Sequence, residues 1–95
     1  MKQILEKHIE KALVKKVKSL GGLCEKYTSP SRRAVPDRLV SMPGGDIIFV
    51  EVKRPGGKVT EAQQRDHDRR RALGFKVMVV SCMEDVEAFP VDLRS

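Results

Sequence analysis

Aromatic residues are scarce in this chain: one tyrosine, three phenylalanines and no tryptophan. A protein that grips single-stranded nucleic acid by stacking bases needs more of them, so that class is disfavoured. The two cysteines, Cys24 and Cys82, lie far apart with no CxxC pair. They fit free thiols in a reducing cytoplasm better than a secreted disulfide scaffold, and they lack the close ligand pairs of a zinc site. The longest apolar runs, Ile47–Val50 and Val77–Val80, are far too short to span a bilayer. Met1–Ile9 mixes charged with apolar residues and contains no signal-peptide core. No glycine-rich phosphate loop ending in Lys-Ser/Thr occurs, because Pro43-Gly44-Gly45 and Pro55-Gly56-Gly57 read as turns. A cytoplasmic location without a membrane partner is expected.

What the chain has in excess is positive charge. Nineteen Lys and Arg residues oppose thirteen Asp and Glu, a net charge of +6. An anionic partner follows, and with so few aromatics the phosphate backbone of duplex DNA is the best candidate. The 95 residues suit one domain, 1–95, with a modest core.

Periodicity gives the order of elements. Leu5, Ile9, Leu13, Val17 and Leu20 recur at helical spacing until Gly21-Gly22 stops the helix. Strands are expected at Leu23–Thr28, Arg38–Met42 and Ile47–Val52, the last two joined by a hairpin at Pro43-Gly44-Gly45-Asp46. A helix follows from Thr60 to about Leu73, stopped by Gly74. Then come a strand, Phe75–Val80, and a short helix, Met83–Phe89, with Ser81 as its cap and Glu84 completing a capping box. The order is α-β-β-β-α-β-α.

The chemistry gathers at the hairpin. Ile47, Phe49, Glu51 and Lys53 share one face of their strand, and Ile48, Val50 and Val52 share the other. A strand apolar on both faces lies inside a sheet, so a carboxylate near its end needs a partner or a cation. Pairing of Glu51 with Lys53 would be one answer. Asp37 adds a second carboxylate, expected opposite Val52 and within one residue of Glu51. Two facing carboxylates repel unless a cation sits between them, and magnesium takes one or two carboxylates together with phosphate and water. Lys53 can face the same point and act on a phosphate or a nucleophile.

Pro36-Asp37, a hairpin, and Glu51-Val52-Lys53 together resemble the PD-(D/E)xK nuclease signature. The chain is similar, from about Glu6 to Phe89, to the stand-alone viral members of the VRR-NUC subfamily. The matching stretches are Gly21-Gly22-Leu23, Lys26, Ser29-Pro30, Val35-Pro36-Asp37-Arg38 and Gly44-Gly45. They continue through Phe49-Val50-Glu51-Val52-Lys53, Pro55-Gly56, Gln63 and Gly74-Phe75-Lys76-Val77. Ala34 departs from the glycine common at that place.

The resemblance implies a restriction-endonuclease-like α/β fold, an αβββαβ core with a mixed central sheet flanked by helices. It implies Mg²⁺ or Mn²⁺ held by Asp37, Glu51 and the Val52 carbonyl, with a first-helix glutamate helping. Glu10 matches the subfamily's helix motif better. Glu6, on or beside the same stripe, is the alternative. Gln63 would reach the site, although Thr60-Glu61-Ala62-Gln63 also reads as a capping box. The catalytic set is therefore Glu10, Asp37, Glu51, Lys53 and Gln63. Phosphate contacts are expected from Lys26, Arg32, Arg33, Arg38, Arg54, Lys58, Arg65 and Arg69. His67 reads as surface or helix packing.

The implied activity is endonucleolytic cleavage of branched DNA such as Holliday junctions, in the cytoplasm of a cell, including a virus-infected bacterial host. The alternatives are a sequence-specific or nicking nuclease of the same fold, or a non-catalytic basic DNA-binding module. Paired cuts call for a homodimer, for which Met78, Met83, Val86, Phe89 and Val91 are the candidate contacts.

Overall fold

The computed structural model describes residues 5–92. Its elements are α1 (Glu6–Ser19), β1 (Leu23–Lys26), β2 (Arg38–Ser41), β3 (Ile47–Val52), α2 (Glu61–Ala72), β4 (Lys76–Val80) and α3 (Met83–Ala88), the expected order. The four strands form one mixed sheet in the order β1-β2-β3-β4. β1, β2 and β3 are antiparallel neighbours, and β4 lies parallel to β3 after the α2 crossover. A parallel neighbour requires such a crossover, which hands β3 a helix on its second face.

The two faces of β3 differ sharply. Ile48, Val50 and Val52 join Ile9, Leu13 and Val17 of α1 and Val86 and Phe89 of the C-terminal segment in the apolar core. The opposite face meets α2, whose buried residues are Asp66 and His67. Phe49 lies there in an aromatic row with Tyr27 and Phe75, at centroid distances of 5.7 and 5.5 Å. The Arg70 guanidinium stands 4.5 Å over the Phe49 ring and 5.2 Å over that of Tyr27. Cation–π attraction thus helps pack a helix with almost no apolar stripe.

Both long helices end as the glycines direct. Gly74, at φ +96°, donates its N–H to the Arg71 carbonyl, and Phe75 donates to that of Arg70. These are the two bonds of a Schellman stop, which needs the left-handed conformation glycine adopts freely. Gly22 is needed for a different reason, close approach. A Cβ there would lie 2.8 Å from Met42 Sδ, 2.8 Å from the Ser41 carbonyl and 2.9 Å from Val17 Cγ1. Gly22→Ala should therefore cost about 1–3 kcal/mol by overpacking. Thermal melts check it; an unchanged melting temperature would mean that α1 and β2 part without strain.

Three expectations need correction. The hairpin register is offset by one residue. Arg38 pairs with Val50, which aligns Asp37 with Glu51 rather than Val52. The loop closes through Met42 N–H to the Asp46 carbonyl, so three residues turn the chain instead of two, with Gly44 and Gly45 both at φ +92°. At α3 the N-cap is Cys82, without a side-chain bond, and Ser81 is not the cap. Asp85 does that work from within the helix, accepting the Ser81 N–H at 2.9 Å. Finally, Met78, Val86 and Phe89 are only 6, 4 and 2% exposed. They belong to the protein's own core and cannot meet a partner. β4 is covered on both faces although it is an edge strand, which its pattern alone did not reveal. Met83 and Val91 remain exposed.

Candidate active site

The site forms where the hairpin strands meet α2. Asp37 precedes β2, and its backbone is already fixed because its carbonyl accepts the Tyr27 N–H at 2.9 Å. Its side chain reaches across to β3, where Val52 donates its backbone N–H to Asp37 Oδ2 at 2.8 Å. Glu51, beside it, is 2% exposed. Gln63 Nε2 donates to Glu51 Oε2 at 3.3 Å, and Lys53 Nζ stands 3.8 Å from the same oxygen. That ion pair is loose and does not by itself account for a buried carboxylate.

Gln63 closes the capping box and also reaches Glu51. Its amide oxygen accepts the Thr60 N–H at 2.9 Å while its own N–H donates to Thr60 Oγ1 at 3.1 Å, closing a capping box. The amide NH₂ is thereby turned toward Glu51. Capping fixes the rotamer, and the fixed rotamer presents the donor.

Burial pushes the Asp37 carboxyl from its ordinary 3.8 up to about 6. The Val52 N–H works against that rise, whereas the Glu51 and Glu6 carboxylates add to it. The folded protein accordingly binds this proton more tightly than the unfolded chain does. The resulting stability is present at acid pH and lost as pH rises through about 6. Asp37→Asn imitates the protonated acid, so without metal it should melt above the wild type at pH 8. The gap should shrink as pH falls from about 6 towards 4. Melts across that range check it, and equal stability at pH 8 would contradict it.

The two first-helix glutamates are placed differently. Glu10 Oε2 accepts a hydrogen bond from Arg38 Nε at 2.8 Å. Arg38 shares its strand face with Val40, a core residue on the α1 side, and its side chain is 13% exposed. This pair is turned to itself, and Arg38 also donates to the Cys24 carbonyl at 3.5 Å. No hydrogen bond or ion pair joins Glu10 or Arg38 to Asp37 or Glu51 among the described residues. Glu6, one turn earlier, does act on Asp37 through its charge.

Half of the expected phosphate contacts cluster. Arg32, Arg33, Arg65 and Arg69 line one open pocket of about 240 Å³ together with Ala34, Ala62 and Asp66. Asp66 organises it, pairing with Arg70 Nε at 2.7 Å, Arg32 at 3.4 Å and Arg69 at 3.9 Å. Lys26, Arg54 and Lys58 are exposed elsewhere. His67, expected at the surface or in helix packing, is fully buried in the packing of α2 with Nε2 3.7 Å from Glu51 Oε1. Its place four residues after Gln63 on one helix was the available signal.

The residues present suit a hard divalent cation. Glu51 Oε1 is buried without a hydrogen-bond partner, beside the Asp37 carboxyl, whose pKa is pushed up to about 6 by burial first and by the Glu51 carboxylate after it. Among the described residues no cluster of three His, Cys, Asp or Glu side chains could hold a metal. Two carboxylates and a backbone carbonyl, completed by water and phosphate, make a magnesium-type donor set.

Two acids and a lysine at the ends of adjacent strands, under a glutamine-bearing helix, make an α/β domain of the PD-(D/E)xK kind in arrangement. Residues 1–84 match the VRR-NUC domain family, and the chain belongs to it. It is 51% identical over 84 residues to "Putative nuclease p44" of Acyrthosiphon pisum secondary endosymbiont phage 1, covering 88% of this chain and 90% of that protein. It also superposes on a solved "VRR_NUC domain" with a TM-score of 0.83 and 37% identity, over 86% of this chain and 89% of that one.

Proposed function

We propose that residues 1–95 form one nuclease domain, a Mg²⁺- or Mn²⁺-dependent endonuclease that cuts branched DNA such as Holliday junctions. The observation that carries the reading is the buried Glu51 carboxylate set against the half-buried Asp37 carboxyl, with Lys53 beside it. In a family of nuclease domains, such a pair is a place for a cation that acts on a phosphodiester.

Asp37, Glu51 and the Val52 carbonyl would hold the ion, which when bound would supply Lewis-acid polarisation of the phosphate and a more acidic water. Lys53 supplies an ammonium beside Glu51, placed to neutralise charge on the attacked phosphoryl group. Gln63 holds Glu51 by its Oε2 and leaves Oε1 facing inward. Glu6 is the first-helix acid of this site in place of Glu10, because its charge is felt at Asp37 while Glu10 is occupied by Arg38. Glu6→Gln should therefore depress cleavage more than Glu10→Gln, and the opposite order would return the role to Glu10. The arginine pocket and Lys26, Arg54 and Lys58 take backbone phosphates and set the register of the duplex.

One chain holds one site, so paired cuts across a junction require a two-fold dimer. With Met78, Val86 and Phe89 buried, the exposed apolar residues Leu73, Phe75, Met83 and Val91 are the candidates for its contact surface. Among the described residues no helix is long and apolar enough to cross a membrane. The phage relative supports action in the cytoplasm of a bacterial host.

A panel of four-way junction, flap, nicked and linear duplex, each with manganese, tests the substrate class. Preferential paired cutting of the junction is expected. Equal cutting of linear duplex at fixed sequences would make this a sequence-specific nuclease. Binding without cleavage of any substrate would make it a DNA-binding module.

A further inference from the structure

Among the buried side chains of the described residues, His67 is the one whose chemistry is unaccounted for. It is 0% exposed, one of the largest fully buried side chains, and neither ring nitrogen has a hydrogen-bond partner. A leucine would fill such a space without burying two unsatisfied polar atoms, which destabilise the fold. Glu51 Oε1 is likewise buried and without a partner, and it lies 3.7 Å from His67 Nε2. The other Glu51 oxygen is already taken by Gln63 and approached by Lys53. Two orphaned atoms of opposite character thus face each other across a short gap.

That gap is too narrow for a bridging water, whose two hydrogen bonds of about 2.8 Å meet at a roughly tetrahedral angle and hold the bridged atoms about 4.4 Å apart. It is about 0.8 Å longer than an ordinary N–H···O bond, so a small ring or carboxylate rotation closes it. We propose that His67 is a positioning residue for Glu51: a neutral imidazole with its proton on Nε2 donates to Oε1 and fixes the plane of the carboxylate. Gln63 and His67, one helical turn apart on α2, then grip the two oxygens separately. The carboxylate keeps one orientation, and the lone pairs left over are directed toward Asp37. The hard cations suited to this site prefer oxygen ligands, so the imidazole acts through the carboxylate and not on the ion.

This inference rests on the metal site proposed above, and its test separates the two. Manganese binding to the purified protein is measured by calorimetry, together with a metal-free thermal melt, for the wild type and three variants. His67→Leu keeps the volume and removes the donor. His67→Gln places an amide N–H at about the reach of Nε2, and His67→Asn places it too short. Manganese affinity should fall about 10–100-fold in His67→Leu and His67→Asn, the range for loss of a group that orients a metal ligand. His67→Gln should stay within about fivefold of the wild type, and metal-free His67→Leu should melt no lower than the wild type. If His67→Leu fails to fold, the Gln and Asn variants carry the comparison. His67→Leu binding manganese as tightly as the wild type would overturn the role, as would equal losses in the Gln and Asn variants. No manganese binding by the wild type would overturn the metal site itself.

Discussion

Glu51→Gln should reduce DNA cleavage by about 10³-fold or more while leaving DNA affinity nearly unchanged. The substitution keeps size and shape and removes one of two carboxylates available to a cation. It leaves Arg32, Arg33, Arg65 and Arg69, which line a separate pocket, untouched. In the function proposed, binding would rest on those charges and cleavage on the acid pair, so the two readouts should come apart. Asp37→Asn should behave in the same way. Lys53→Ala should also be inactive, yet it should still bind manganese, because Lys53 faces the carboxylate without being an oxygen ligand. Cleavage by Glu51→Gln at close to the wild-type rate would remove the site from the account.

The second large effect concerns Asp66. This carboxylate is 4% exposed and bonds to Arg70 Nε at 2.7 Å, while Arg70 itself is wedged against Phe49 and Tyr27. Asp66→Ala leaves a largely buried guanidinium without its counter-charge. Breaking one side of a fully buried pair costs about 3–5 kcal/mol. The stacking contacts and the Tyr27 hydroxyl at 3.4 Å remain, so about 2–3 kcal/mol is expected here. For a domain of this size that lowers the melting temperature by roughly 10–20 °C. The double variant Asp66→Ala/Arg70→Met should recover part of the loss, since it removes both charges together. A single variant melting within about 2 °C of the wild type would show that the α2 face is held by other contacts.

The parts of the fold that were legible in sequence are those written in apolar periodicity and glycine. The α1 stripe of Ile9, Leu13 and Val17 and the stop at Gly74 lie where their spacing indicates. Illegible was the buried face of α2, because it is polar. Gln63, Asp66, His67 and Arg70 recur at helical spacing, and a search for hydrophobic residues passes over them. What makes that face packable lies largely on other elements: Glu51 accepts from Gln63, and Tyr27 and Phe49 stack on Arg70, which in turn pairs with Asp66. His67 was hidden for the same reason.

The acid pair was legible as a pair but not in register. A two-residue and a three-residue hairpin loop differ by one position, and Pro43-Gly44-Gly45-Asp46 accommodates either. Glu6 and Glu10 differ by one helical turn on the same stripe, so periodicity cannot rank them. Arg38 ranks them in the structure by engaging Glu10 across 28 residues of sequence.

The most direct test of the metal site is anomalous scattering from a crystal of the wild-type protein soaked in manganese. The account predicts a peak in contact with Asp37, Glu51 and the Val52 carbonyl. A protein that cleaves DNA with manganese while its anomalous peak lies elsewhere, away from both carboxylates, would contradict it.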